Sequence, residues 1–148
     1  MGKYFGTDGF RGEVNVALTA RHAYEIGRFI GWYFTKKRRG GKENEDGEIR
    51  SRVVIGKDPR LSSYMYEYAL SAGLTASGAD ACLLHVTTTP SVSYVTRTED
   101  FDCGIMISAS HNPYTDNGIK IFDALGGKAD ERLIDLIETH LAAVDADQ

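Results

Sequence analysis

Four short apolar runs alternate along the chain with longer segments of helical periodicity, and this alternation constrains the fold more than any other feature. The runs predict buried strands, because each is short, apolar or β-branched, and bounded by polar or turn-forming residues. The predicted strands lie at 52–55, 81–86, 101–107 and 119–122, and the predicted helices at about 19–39, 62–77, 91–97 and 129–141. The sequence therefore predicts an α/β fold, a three-layer αβα sandwich with a mixed, mostly parallel four-stranded sheet.

The last predicted strand is the exception to the parallel arrangement. Asn117-Gly118 is typical of a tight turn, and it follows soon after the strand at 101–107. We therefore expect the chain to reverse at this pair and Ile119 to Phe122 to form an antiparallel edge strand.

Residues with known positional preferences mark the expected helix ends. Thr19 is placed to cap the first helix and Gly78 to end the second. Pro90 suits the first turn of the third helix, because it has no N–H to leave unpaired there. The tail from Ala142 to Gln148 is expected to be a linker.

Composition excludes several classes of function. The 148 residues fit one domain, 1–148, and a net charge of −4 gives no electrostatic case for binding nucleic acid or an acidic membrane. The basic run Lys36–Arg39 is followed directly by the acidic segment 43–48, which indicates a solvated helix end and a surface loop. No apolar run approaches the roughly 18 residues of a membrane span, and no secretory signal is visible.

Three residues with reactive side chains lie in apolar runs and are expected to be structural. Cys82 and Cys103 do not form a C-x-x-C pair, so we expect small buried thiols of a cytoplasmic protein rather than a disulfide or a metal site. His85 lies on an apolar strand and is expected to be a packed, hydrogen-bonded histidine.

The strongest candidate for chemistry is the polar segment between the last two predicted strands, Ser108 to Gly118. Pro113 disfavours helix there, so the segment is expected to be a loop on rigid strand ends. Ser110 beside His111 suggests a serine hydrolase, but adjacent side chains on an extended segment point apart and the G-x-S-x-G pattern is absent. A serine that carries a phosphate fits better, since its charge of about −1.5 to −2 needs cations and donors such as Lys120 nearby. A solvated polar loop without function is the other reading.

Two basic segments elsewhere could serve such a phosphate. Gly6 to Gly12 is either a tight turn or a rigid mount for Arg11, whose planar guanidinium suits phosphate. Lys57, Asp58 and Arg60 follow the strand at 52–55, in the kind of loop where ligands gather in open α/β sheets. Asp58 and Arg60 either pair and brace the next helix or support the site.

Three segments resemble motifs of the α-D-phosphohexomutases. Ser-Ala-Ser-His-Asn-Pro at 108–113, with Asp-Asn-Gly-Ile-Lys at 116–120, closely resembles the phosphoserine loop of that family. Gly-Lys-Asp-Pro-Arg-Leu-Ser at 56–62 is similar to the family's segment after its second strand. Tyr4 to Gly12 resembles the amino-terminal signature of one branch, the phosphoglucosamine mutases. The three occur in the family's order and together span nearly the whole chain.

The resemblance implies both a fold and a reaction. The fold is the first of four domains, an αβα sandwich, with the remaining domains absent from this chain. The reaction interconverts glucosamine 6-phosphate and glucosamine 1-phosphate through a phosphoserine and a bisphosphorylated sugar. Ser110 matches the phosphoserine, Lys120 and His111 match the candidates for general acid and base, and Arg11 matches an active-site arginine. Asn112, Asp58 and Arg60 would bind phosphate or support the site.

The resemblance also implies a cofactor, an activator and a limit. Mg²⁺ would bind the phosphate on Ser110 together with aspartates of a D-G-D loop, and a hexosamine 1,6-bisphosphate would act as activator. That loop is absent from this sequence, so the isolated domain is expected to be inactive without the other domains. Phosphoglucomutase, phosphomannomutase and a non-catalytic phosphate-binding module remain alternatives.

Overall fold

The computed structural model describes residues 2–38 and 50–147, and these form five strands and four helices. The strands are β1 (Phe10–Glu13), β2 (Arg52–Lys57), β3 (Asp80–Val86), β4 (Cys103–Ile107) and β5 (Asp116–Phe122). The helices are α1 (Ala20–Arg38), α2 (Leu61–Ala76), α3 (Thr89–Thr98) and α4 (Glu131–Ala146). Arg39 and the acidic segment 43–48 lie outside the described residues.

The strands form one mixed sheet in the order β1-β5-β4-β2-β3. β2 pairs in parallel with β3 and β4, whereas β5 pairs antiparallel with β4 and β1. Four strands therefore run in one direction, which confirms the mostly parallel sheet. The sheet has five strands rather than the expected four, because Phe10–Glu13 adds one outside β5. β5 is antiparallel as expected, but it is not the edge strand.

The prediction of a turn at Asn117-Gly118 is wrong, because both residues lie inside β5 and pair with β1. Asn117 is buried, and its side-chain amide donates to the hydroxyls of Ser62 (2.9 Å) and Ser63 (3.0 Å) on α2. These contacts with distant segments outweigh the local preference of the pair for a turn.

Helices cover both faces of the sheet, which confirms the αβα sandwich. α1, α2 and α4 pack on one face over the main core, which includes Ile26, Ile30, Leu70, Leu74, Ile105, Ile107, Ile119, Ile137 and Leu141. α3 packs on the other face, where Val92 contacts Met106 and Phe122. Alternate residues of β4 and β5 thus serve the two faces, as the period of a strand requires.

The expected helix ends are confirmed where they are described. The hydroxyl of Thr19 accepts a hydrogen bond from the His22 N–H (3.1 Å), which caps α1. Gly78 follows α2 with φ +87°, a backbone conformation that favours glycine. Pro90 lies in the first turn of α3, whose N-cap Thr88 accepts from the Ser91 N–H.

The expected linker at the end of the chain is wrong as far as Ala146, because α4 continues to that residue. Asp145 in its last turn accepts hydrogen bonds from the Tyr4 hydroxyl and from Nε2 of His22 (3.0 Å). These contacts tie the added helical turn to the amino-terminal segment, which no local pattern in the sequence reports.

Two of the three residues expected to be buried are exposed. Cys103 lies in the core, where burial raises the pKa of its thiol, but Cys82 is exposed on β3. The side chain of His85 is 70% exposed, and its φ is +62° at an irregularity in the β2–β3 pairing. β3 is an edge strand, so its apolar run does not imply burial on both faces. No helix among residues 2–38 and 50–147 is long and apolar enough to cross a bilayer.

Candidate active site

The polar segment that follows β4 forms a compact loop, the serine loop, residues 108–115. Its base is closed by the Ser108 N–H, which donates to the carbonyl of Gly118 (2.9 Å) on β5. Inside it, the Asn112 N–H donates to the carbonyl of Ala109 (3.0 Å). The adjacent end of β2 is joined to β4 by the bond from the Asp58 N–H to the Ile107 carbonyl (3.0 Å). The loop therefore stands on the ends of three hydrogen-bonded strands.

Ser110 occupies a strained position in this loop. Its φ is +51°, a left-handed conformation that costs a non-glycine residue of the order of 1–3 kcal/mol unless the surroundings impose it. Its N–H donates to the hydroxyl of Ser108 (3.1 Å), and its side chain is exposed. The sequence argument against a Ser110–His111 pair assumed an extended segment, in which adjacent side chains point apart. The segment is not extended at Ser110, so that argument does not apply. The structure nevertheless gives no hydrogen bond between the two side chains within the described residues.

Arg11 reaches the serine loop from β1. One guanidinium nitrogen, Nη2, lies 3.4 Å from the Ser110 hydroxyl oxygen, and the other, Nη1, lies 3.5 Å from the Asn112 side-chain carbonyl. The arginine stem passes over Gly118 of β5, where a Cβ would lie 3.0 Å from Cγ of Arg11 and 2.6 Å from the Ser108 carbonyl. Glycine is therefore required at position 118 for this approach.

Arg60 holds the same loop from the other side. Its Nη2 donates to the carbonyl oxygens of Ser110 (3.0 Å) and Asn112 (2.8 Å). Asp58 pairs with Nη1 of Arg60 (3.3 Å) and accepts from the Arg60 N–H and the Ser63 hydroxyl. Asp58 therefore braces the start of α2, and Arg60 binds the backbone of the serine loop.

Two guanidinium groups thus bind the serine loop, Arg11 beside the Ser110 hydroxyl and Arg60 at the loop carbonyls. Nε of Arg11 is buried and has no hydrogen-bond partner, and Nη1 of Arg60 is buried with only its ion pair to Asp58. The planar donors of a guanidinium group match phosphate geometry. The arrangement can stabilise an anion on Ser110, which a solvated loop without function does not require.

Of the two candidates for general acid and base, His111 belongs to the serine loop and Lys120 to β5, and the structure gives neither side chain a hydrogen bond to Ser110 within the described residues. His111 is exposed, and within the described residues the structure gives it no hydrogen bond. Lys120 is half-buried on β5, opposite Met106 of β4, with its ammonium 5.5 Å from the Phe122 ring centroid. It lines a cleft of about 310 Å³ beside Gly9. Hydrogen bonds and an ion pair link Ser110, Arg11, Asn112, Asp58 and Arg60, whereas the side chains of Lys120 and His111 take no part in this network as the structure describes it.

Lys57 does not lie in the ligand loop as the sequence suggests. It is the last residue of β2, with a buried side chain whose ammonium pairs with Glu67 of α2 at 2.8 Å. Sequence reasoning missed Glu67 entirely, because a single acidic residue on a helix is normally solvated. No spacing rule connects it to a lysine in the preceding strand.

The described residues do not by themselves form a magnesium site. Mg²⁺ prefers about six oxygen ligands, including carboxylates. Ser110 offers one hydroxyl oxygen, and its nearest charged partners are cationic. No cluster of three or more His, Cys, Asp or Glu side chains suited to a metal occurs among residues 2–38 and 50–147.

Comparison with protein families identifies the domain. Residues 2–148 match the model of the phosphoglucomutase/phosphomannomutase family, alpha/beta/alpha domain I. The chain belongs to this family. The match covers the serine loop and both arginine segments, so the site described above lies within the family's own domain.

Curated relatives agree with this assignment. The chain is 67% identical over 141 residues to a phosphoglucosamine mutase from Lachnospira eligens, covering 95% of this chain and 30% of the relative. It is 61% identical to a phosphoglucosamine mutase from Lachnoclostridium phytofermentans, covering 95% of this chain and 29% of that protein. The chain thus spans about 30% of the length of these relatives.

A solved structure shows the same fold within the family. A protein from Thermus thermophilus, whose name assigns it to the phosphomannomutases, superposes with a TM-score of 0.75 at 30% sequence identity. The alignment covers 94% of this chain and 30% of that one. The αβα domain described here is therefore the fold of the corresponding part of that protein.

Proposed function

We propose that this chain is the phosphoserine-bearing domain of a phosphosugar mutase that interconverts glucosamine 6-phosphate and glucosamine 1-phosphate. The observation that carries the proposal is the convergence of Arg11 and Arg60 on the loop of one exposed, strained serine, Ser110. The choice of glucosamine phosphates is supported by the names of the two curated relatives quoted above.

The proposed reaction moves one phosphoryl group out and another back. The bond from phosphorus to Oγ of phosphorylated Ser110 breaks as a sugar hydroxyl forms a new bond to phosphorus. The hydroxyl loses its proton to a general base, and the serine oxygen gains a proton. The bisphosphorylated sugar then reorients and returns its other phosphate to Ser110. At the end of the cycle Ser110 carries a phosphate again. A sugar bisphosphate serves as activator because it can phosphorylate Ser110 at the start.

Four of the candidate site residues have a proposed part in that cycle besides Ser110. Arg11 contacts the hydroxyl oxygen of Ser110, so it stabilises charge on the transferring group. Arg60 binds the loop backbone and fixes its shape. Lys120 or His111 exchanges the proton with the sugar hydroxyl. Because the structure gives neither side chain a hydrogen bond to Ser110 within the described residues, the bound sugar has to bridge the distance between the proton carrier and the serine.

We further propose that Mg²⁺ and the remaining domains complete the site. Mg²⁺ would neutralise charge on the transferring phosphate. We expect its carboxylate ligands to come from other domains, since no group of three or more His, Cys, Asp or Glu side chains suited to a metal occurs among residues 2–38 and 50–147. The residues that read the sugar should lie there too. The isolated domain is therefore expected to accept a phosphate without sustaining turnover.

The proposal is tested with the full-length protein that carries this chain, with and without Ser110→Ala. Glucosamine 6-phosphate, Mg²⁺ and a trace of the sugar bisphosphate are supplied, and glucosamine 1-phosphate is followed. We expect conversion by the parent and a loss of about a thousandfold or more in the variant. Conversion that survives the substitution would show that Ser110 is not the phosphoryl carrier.

Glucose and mannose phosphates, tested in parallel, distinguish the alternative mutase activities. Faster conversion of either would reassign the substrate, and the Thermus relative's name favours mannose phosphate as the second candidate. A phosphate-binding module without catalysis would bind ligand equally well with Ser110→Ala and would form no phosphoenzyme.

A further inference from the structure

A buried ion pair lies directly beneath the site. Nζ of Lys57 and Oε1 of Glu67 are 2.8 Å apart, and both side chains are only 1% exposed. The lysine ammonium also lies 3.7 Å from the ring centroid of Tyr64. Removing two charges from water is costly, and apolar pairs of similar volume often give equal or greater stability. Stability alone is therefore a poor explanation for the pair.

The second oxygen of Glu67 strengthens this point. Oε2 is buried and has no hydrogen-bond partner, and Nδ1 of His85 lies 3.9 Å from it. A buried carboxylate oxygen without a partner destabilises the folded state. The hydrogen-bonding capacity of Glu67 is thus only partly used. A contact that served stability alone would not be expected to leave a buried oxygen without a partner.

On the strand side, Lys57 lies where three strands end together. It is opposite Ile107 of β4 and Val86 of β3, and its carbonyl accepts from the Thr87 N–H (2.9 Å). Ile107 is followed directly by the serine loop, and Lys57 is followed directly by Asp58. A shift at Lys57 therefore moves both sides of the site.

On the helix side, Glu67 lies on the element that begins just after Arg60. The first turn of α2 also holds Asp58 through the Ser63 hydroxyl (2.8 Å) and holds Asn117 of β5 through Ser62 and Ser63. The distance between α2 and β2 thus decides where Arg60 stands relative to the carbonyls of the serine loop.

We infer that the Lys57–Glu67 pair positions Arg60, and through it the serine loop, for phosphoryl transfer. The two charges form a directional contact of fixed length between β2 and α2, whereas an apolar pair would allow α2 to slide. Neither residue contacts the Ser110 side chain, so both are positioning residues rather than catalytic ones. The catalytic part of this inference rests on the proposed mutase function.

The test replaces the pair with an apolar one of similar size, Lys57→Met/Glu67→Leu, in the full-length protein. Glu67→Gln is a second variant that keeps a hydrogen-bond acceptor if the double variant does not fold. Glu25→Gln is the matched control, because it replaces a carboxylate that is hydrogen-bonded to His140 (2.8 Å) and so joins α1 to α4. The measurements are Tm, kcat, KM, and hydrogen exchange of the Asn112 amide without substrate.

We expect the double variant to keep a Tm near that of the parent, while kcat falls between about tenfold and a hundredfold and KM changes less than about twofold. In the double variant, hydrogen exchange of the Asn112 amide should become about tenfold faster. Glu25→Gln should change neither kcat nor the exchange rate of this amide. Parental kcat and parental exchange in a folded variant would overturn the inference.

A parent without mutase activity would instead refute the proposed function, and amide exchange alone would then decide the positioning role. If the double variant does not fold, Glu67→Gln decides by the same two readouts, with a smaller fall in kcat expected. Parental values in that variant would overturn the inference.

Discussion

At the scale of single residues, the site depends on a serine that the backbone holds in an unfavourable conformation. Ser110 has φ +51°, and its carbonyl is bound by Arg60 while its N–H is bound by Ser108. These contacts leave the hydroxyl exposed and within 3.4 Å of the Arg11 guanidinium. The strain is offset by hydrogen bonds to the loop backbone, so the side chain itself remains available for chemistry.

Gly118 offers a direct test of this arrangement. A Cβ at this position would lie 2.6 Å from the Ser108 carbonyl and 3.0 Å from Cγ of Arg11. We expect Gly118→Ala to lower the free energy of unfolding by about 1–3 kcal/mol and to displace Arg11 from Ser110. Urea denaturation measures the first effect, and the rate of Ser110 phosphorylation measures the second.

Gly127→Ala is the matched control, since a Cβ there meets its nearest neighbour, the Asp123 carboxylate, at an ordinary 3.6 Å. It should change stability by no more than about 0.5 kcal/mol. Equal stabilities of the two alanine variants would mean that the close approach at Gly118 is not a constraint.

At the scale of elements, the sequence predicts well the strands that consist of continuous apolar runs, including the edge strand β3. β2 and β4 are central strands, and their continuous apolar runs place them within a residue or two of the observed bounds. The sequence does not predict β1, because Phe10–Glu13 is short and mixed in polarity, follows Gly9 and contains Gly12. It is a strand because β5 is available to pair with it, a tertiary fact without a local signal.

The same division holds for the site. Ser110, Arg11 and Asn112 lie together in the structure, and each belongs to a contiguous motif that is visible in the sequence. The sequence predicts Lys57 in the loop after β2, whereas it is the last residue of that strand, and the sequence does not single out Glu67. Both differences arise because the pair joins a strand to the second turn of a helix, which no contiguous motif reports. The helical period of α2 predicts that position 67 is buried only if the face of the helix that packs on the sheet is already known.

At the scale of the whole molecule, the two ends of the described chain are tied together. The Glu138 carboxylate on α4 accepts from the backbone N–H groups of Tyr4 and Phe5. Asp145 accepts from the Tyr4 hydroxyl and from His22. Burial raises the pKa of Asp145, but these hydrogen bonds outweigh it and the net pKa is lowered. α4 thereby holds the segment that delivers Arg11.

The contact predicts a specific loss of stability at high pH. Burial, followed by the hydrogen bond to Asp145, raises the pKa of Tyr4 from 10.0 to about 12. A raised pKa means that the neutral phenol stabilises the fold below about pH 10, and that this contribution is lost as pH rises toward 12. We expect the stability difference between the parent and Tyr4→Phe to shrink over this window. Urea denaturation at a series of pH values measures it.

Tyr114→Phe is the control for this titration, because Tyr114 is 85% exposed. Its stability should follow that of the parent at every pH. A difference between parent and Tyr4→Phe that stays constant from pH 10 to 12 would show that the Tyr4–Asp145 contact does not govern the alkaline loss.

The most direct test of the central claim is to map the phosphate. The chain, alone and within the full-length protein, is incubated with a hexosamine 1,6-bisphosphate and Mg²⁺, and the modified residue is located by peptide mass spectrometry. We predict one added phosphate on Ser110, with its rate of formation reduced by Arg11→Ala. Phosphate on another residue, or none on the full-length protein, would contradict the assignment of Ser110 as the phosphoryl carrier.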